Sequence, residues 1–231
     1  MDERPLADAR APGAAFPAAT SRAVVVGAVL WLVSIMVFVD QLIAQAASTR
    51  PYSMATNLIS DLGVTACGPA ICSPLHGFMN ATFVAVGFCH VLGAMATYRA
   101  WPHRATTGLG ILAVAGVGLI VAGLSPENLN AAGHDVGALV GLIALNAAML
   151  VLGWSIFPTE RWLARLTYGA GIVGFVGLGL LLSGTGPPVG LDERIADYPG
   201  TAMVVVLGAY LLVATVSASR RGRRSVGRPE M

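Results

Sequence analysis

The chain has 231 residues, of which 55% are hydrophobic and only 11% charged, and its mean hydropathy is +0.72. An ordinary soluble domain carries roughly 45–50% apolar and about 25% charged residues, so this composition excludes a water-soluble globule and points to a chain dissolved in lipid. The formal net charge is +2 and all 14 basic side chains are arginines, which gives no basic surface of the kind that grips nucleic acid.

In chain order, residues 1–21 are Ala/Pro-rich with charges of both signs and read as a disordered arm. Six apolar runs follow, about Arg22–Gln45, Pro74–Tyr98, Thr106–Leu124, Ala131–Phe157, Trp162–Leu182 and Ile195–Ala218. Each is near the ~20 residues that carry a helix across ~30 Å of hydrocarbon. A lipid-exposed backbone must satisfy its own hydrogen bonds, and runs this long without period-two alternation do not make barrel strands. The expected fold is therefore all-α, a polytopic bundle of six transmembrane helices over residues 22–218, closed by a basic tail over 219–231. Its outer loops are expected at about 46–73, 125–130 and 183–194.

Arginine placement gives the orientation. Arg4, Arg10, Arg22, Arg99, Arg104, Arg161, Arg165, Arg220, Arg221, Arg223, Arg224 and Arg228 fall on one side of a six-span chain, and only Arg50 and Arg194 on the other. The positive-inside rule then puts both termini in the cytoplasm of a cell with a bacterial-type inner membrane. The first run is too long for the apolar core of a cleaved signal peptide, and the arginine-rich tail suits anionic headgroups. Trp101, Trp154 and Trp162 sit where interfacial aromatic belts form.

Polar residues collect at the outer ends of the spans. The connection 46–73 contains Asn57-Leu58-Ile59-Ser60-Asp61-Leu62-Gly63, and a loop of that length is functional or disordered. Cys67 and Cys72 lie in it, facing an oxidising compartment where a disulfide can form. Ser73 and Pro74 read as the cap and first residue of the second helix, which puts His76 at its mouth, with Asn80 and His90 on the same face. The third-to-fourth connection runs Ser125-Pro126-Glu127-Asn128, and His134 opens the next helix with Gly137, Ala138 and Gly141 on its side, a strip that lets a neighbour approach closely. Asp192, Glu193, Arg194 and Asp197 fall in the last outer loop.

These strings, Asn57 to Gly63, Cys72-Ser-Pro-Leu-His-Gly-Phe-Met-Asn80, Ser125 to Asn128 and His134-Asp-Val-Gly-Ala138, resemble those of the bacterial and archaeal membrane family known as domain of unknown function 998. The resemblance covers about Ala23 to Ala218. It implies six spans and an outward-facing motif cluster, and brings no established activity. A more distant similarity is to eukaryotic six-span proteins that include lipid-remodelling members.

Ionisable groups at membrane depth are expensive, so the outer mouth is the expected functional site. One reading is a binding protein that grips a lipid headgroup, an ion or a protein partner, with Asn57, Ser60, Asn80 and Asn128 as ligand-contacting side chains. The alternative is a hydrolase or transferase acting on a lipid at the outer leaflet. There Asp61, His76, Glu127 and His134 are the catalytic candidates, and His76, His134 and Asp61 could hold a divalent metal that acidifies a bound water. Membrane lipids are the expected partner class. Each residue also has a structural reading: His76 and His134 tie loop carbonyls, Asp61 caps a short helix, His90 and Cys89 are buried, and Asn80 and Asn146 donate between helices.

Overall fold

The computed structural model describes residues 22–186 and 188–226, with side chains to Ser219. Residues 1–21, Pro187 and residues 227–231 lie outside the described residues, and with them the expected disordered arm and the end of the basic tail. Six helices make up the bundle: α1 (Arg22–Ala47, with a 3-10 turn at Val33–Ile35), α2 (His76–Thr97), α3 (Thr106–Leu124), α4 (Ala131–Ile156), α5 (Arg161–Ser183) and α6 (Val189–Val226). All six are long and apolar enough to cross a membrane, and no strand occurs among the described residues.

Successive helices run up and down, so the chain has a loop face and an opposite face. The long connection 48–75, the turn at 125–130 and the short link after Ser183 lie on the loop face. On the opposite face are Arg99, Arg104, Arg161 and Arg165. The lipid-facing shell is apolar, with Val26, Leu42, Phe88, Met95, Val136 and Val176 among its exposed side chains, as a chain solvated by hydrocarbon requires.

With no hydrophobic drive between helices in lipid, close backbone approach has to hold the bundle together. The α3/α4 crossing does this through glycine. A Cβ added at Gly137 would lie 2.5 Å from the backbone nitrogen of Ala122, and one at Gly118 would collide with the backbone of Gly141. This is the strip expected beside His134. A main core follows, from Trp31 and Ala94 to Leu112, Met149, Leu152 and Leu207. Trp101 departs from the expected interfacial belt: it is buried, 6.2 Å from Trp31 and 6.4 Å from Tyr210 between ring centres, whereas Trp154 and Trp162 are exposed.

Two boundaries differ from the sequence reading. Ser73 does not cap α2, which begins at His76 after a turn in which the His76 amide bonds the Ser73 carbonyl. The last outer loop is shorter than the expected 183–194, because α6 begins at Val189 and takes Asp192, Glu193, Arg194 and Asp197 into its first turns. Hydropathy counts the first three as loop and starts the apolar run at Ile195. They are tolerated in a helix because Asp192 and Arg194 are buried in protein instead of facing lipid, at 2% and 5% exposure.

Candidate functional site

The connection 48–75 is a built structure. Cys67 and Cys72 are joined in a disulfide. The Thr49 amide donates to the Cys72 carbonyl at 3.2 Å, and the Gly68 amide to Ile71 at 2.8 Å. Across the loop face, Asn128 accepts from the Thr65 amide at 3.0 Å and donates to its hydroxyl at 3.0 Å, tying the two connections together.

Two adjacent α6 residues clamp the middle of this loop onto the bundle. The Arg194 guanidinium donates from Nη1 to the carbonyls of Met54, Asn57 and Gly190 at 2.9, 2.9 and 2.8 Å, and from Nη2 to the Tyr52 hydroxyl at 2.6 Å. Tyr52 in turn donates to the Leu58 carbonyl at 2.9 Å. Burial pushes the Tyr52 phenol up to about 12, against the opposing pull of the Arg194 charge. Gly190 is required here, since a Cβ would run into the Asn57 carbonyl. Glu193, next to Arg194, accepts the Ile59 amide.

Beneath the clamped segment lies a cavity of about 70 Å³ between α1, α2, α3, α4 and α6, with room for a few waters or one small polar group. Its polar lining is Ser60, His90, His134, Glu193, Asp197 and Thr201; the rest is apolar, including Val37, Phe83, Leu119 and Leu145. Glu193, Asp197 and Thr201 recur every four residues, so they form one stripe on α6. The Thr201 hydroxyl donates to Asp197 Oδ1 at 3.0 Å. Two carboxylates thus face the recess, and no arginine does among its described lining residues. His134 Nδ1 lies 3.2 Å from the Ala122 carbonyl and 3.1 Å from that of Ser125. Carbonyls only accept, so Nδ1 carries the proton and Nε2 is left as an acceptor. Deeper in, His90 Nε2 pairs with the Ser34 hydroxyl at 3.0 Å.

Of the residues proposed from the sequence as catalytic, ligand-contacting or metal-binding, Ser60 and His134 line the recess. Asn57, Asp61, His76, Asn80 and Asn128 act as fasteners of the loop face. Asp61 accepts from the Asn57 side chain at 3.1 Å and the Leu58 amide at 3.0 Å, a local turn cap. His76 bonds the Ser73 carbonyl through Nδ1 at 2.9 Å. Asn80 donates to the Gly63 carbonyl at 2.8 Å, so it joins helix to loop and not helix to helix. Glu127 keeps one buried oxygen without a partner. The expected metal-ligand set is corrected on this point: His76, His134 and Asp61 are each committed locally, and no group of three His, Cys, Asp or Glu among the described residues could hold a metal ion. Asn146 does bridge helices as expected, donating to Ala196 at 2.9 Å.

The spans themselves bury Ser34, Asp40, Gln41 and Thr82 in addition to His90 and Thr201. The sequence reading missed Glu193 and Asp197 as site residues. The four-residue spacing Glu193–Asp197–Thr201 was the available signal, broken because the apolar run was counted from Ile195 and left Glu193 outside it.

The sequence pattern of the family described as "Protein of unknown function (DUF998)" matches residues 25–210. The chain belongs to that family. No curated protein and no solved structure matches it. The match runs from Val25, the fourth residue of α1, to Tyr210 in α6, so it takes in the whole recess and its clamp.

Proposed function

We propose that this six-span membrane protein binds a small organic cation, the ammonium end of a phospholipid headgroup, in the recess beneath its long connection. The observation that supports the reading is the pairing of Glu193 and Asp197 one turn apart on α6, facing a cavity with no cationic side chain in its described lining. An ammonium group offers three donors to two carboxylates and to the free Nε2 of His134. Each charge-assisted bond contributes about 1.5–3 kcal/mol. The donor set is too sparse for a divalent metal, and the apolar walls suit the carbon next to the nitrogen. A chain solvated by lipid meets such headgroups at high local concentration.

On this reading the loop face lies outside and the arginine-bearing face lies toward the cytoplasm of an inner membrane, in line with the positive-inside rule. The enzymatic alternative gains no support from the local commitments of Asp61 and His76.

The test is a melting series on purified protein in detergent with short-chain phosphatidylethanolamine or phosphatidylglycerol added. Stabilisation by the first lipid alone, lost in the Glu193→Gln/Asp197→Asn double variant, is the expected result. Equal stabilisation by both lipids in the wild type overturns the reading. Glutamine keeps an oxygen for the Ile59 amide, so the clamp survives the substitution.

A further inference from the structure

Asp40 on α1 is fully buried at 0% exposure, and its carboxylate oxygens make no hydrogen bond of good geometry, the Thr82 hydroxyl and the local backbone being close without closing one. It sits seven residues before the end of α1 at Ala47, about 10 Å below the loop face at 1.5 Å per residue. An ionised carboxylate left unpaired at that depth is the least tolerable arrangement a membrane interior can hold, so the charge must be neutralised by something small. No arginine is there to do it. Arg194 directs its Nη1 and Nη2 donors to the carbonyls of Met54, Asn57 and Gly190 and to the Tyr52 hydroxyl.

The surroundings are those of a cation station. From α2, the Thr82 hydroxyl, itself buried, faces the carboxylate. From α6, the Tyr198 hydroxyl donates to Gln41, the residue next to Asp40, at 2.6 Å. His90 of α2 is deeper and already paired with Ser34. On the loop side, Asp61 is tied to Asn57 and Leu58, and Glu193 to Ile59. Among the described residues, no positive side chain therefore faces Asp40 from the elements packed against it. The way in is short, since Val37, one turn before Asp40, Phe83, next to Thr82, and Asp197 all line the recess.

We propose that Asp40 is a monovalent-cation site, a second station behind the recess whose carboxylate takes one proton or one sodium ion by way of the recess. The site stands independently of what the recess itself binds. If the occupant is a proton, it sits on one Asp40 oxygen as a neutral acid and is exchanged with water through the recess. If it is sodium, the carboxylate stays ionised, and the Thr82 hydroxyl supplies a further oxygen.

The test uses the full chain in detergent, with an infrared spectrum in the protonated-carboxyl region and melting curves in sodium against N-methylglucamine. A carboxyl band at neutral pH that is lost in Asp40→Asn assigns a proton. A melting temperature that rises with sodium in the wild type, and not in Asp40→Asn, assigns sodium. The proposal is overturned if the wild type shows neither signal, or if either survives unchanged in Asp40→Asn. Should Asp40→Asn fail to fold, the Glu193→Gln/Asp197→Asn double variant decides: the signal must persist there, and its loss places the cation in the recess and not on Asp40.

Discussion

Replacing Arg194 by methionine tests how the recess is roofed. The substitution keeps an unbranched apolar stem, two atoms shorter than arginine, and removes the four donated bonds to Met54, Asn57, Gly190 and Tyr52. Taken singly, a hydrogen bond from a charged donor contributes about 1.5–3 kcal/mol. The four do not add, because loop carbonyls near the face can be rehydrated once the clamp opens and the methionine still packs. The net loss should approach the roughly 3–5 kcal/mol seen when one member of a buried charged network is removed. Hydrogen exchange on detergent-solubilised protein locates the effect. Amides of residues 54–62 should exchange orders of magnitude faster, since the same arginine and its neighbour Glu193 fasten that segment, while the α3/α4 crossing should stay protected. An Arg194→Lys variant should rescue only part of the protection, because a point-like ammonium cannot reach four acceptors arranged around a planar fork. Unchanged exchange over 54–62 in Arg194→Met would refute the clamp.

Three further outcomes follow from particular contacts. Gly118→Ala should cost about 1–3 kcal/mol and lower the melting temperature, because its methyl meets the Gly141 backbone, whereas Gly110→Ala, with open space around it, should be neutral. The Tyr52 phenol should ionise near pH 12 in an ultraviolet titration. Because folding raises its pKa above the ordinary value of 10, stability from Tyr52 is full below pH 10 and falls as pH climbs toward 12, and Tyr52→Phe should remove that part of the decline. Reducing the Cys67–Cys72 disulfide should lower the melting temperature only modestly, by about 2 kcal/mol in stability, because the loop it closes is short.

The spans were legible because twenty apolar residues in a row have few other uses, and the glycine strip beside His134 because small residues at helical spacing mark a close crossing. The histidines at the helix mouths were also found. Their roles as carbonyl ties could not be read, since the partners are the chain's own backbone, which every sequence offers equally. The recess was half legible. Ser60 and His134 were in view, but Glu193 and Asp197 were read as loop, because hydropathy cannot tell a charge facing water from one facing a protein interior. Asp40 was passed over for a related reason: one carboxylate in an otherwise apolar run barely lowers its average, although its physical consequence at that depth is large.

The most direct measurement concerns the sign of charge the recess admits. A cysteine at Ser60, in the lining of the recess, leaves both carboxylates in place, and the native Cys67 and Cys72 are already bonded to each other while Cys89 is buried. Rates of modification by a cationic and an anionic thiol reagent of equal size then report the local potential. The account predicts that the cationic reagent reacts faster at Ser60→Cys and that the advantage disappears with Glu193→Gln and Asp197→Asn. Equal rates with both carboxylates present, or a faster anionic reagent, would contradict it.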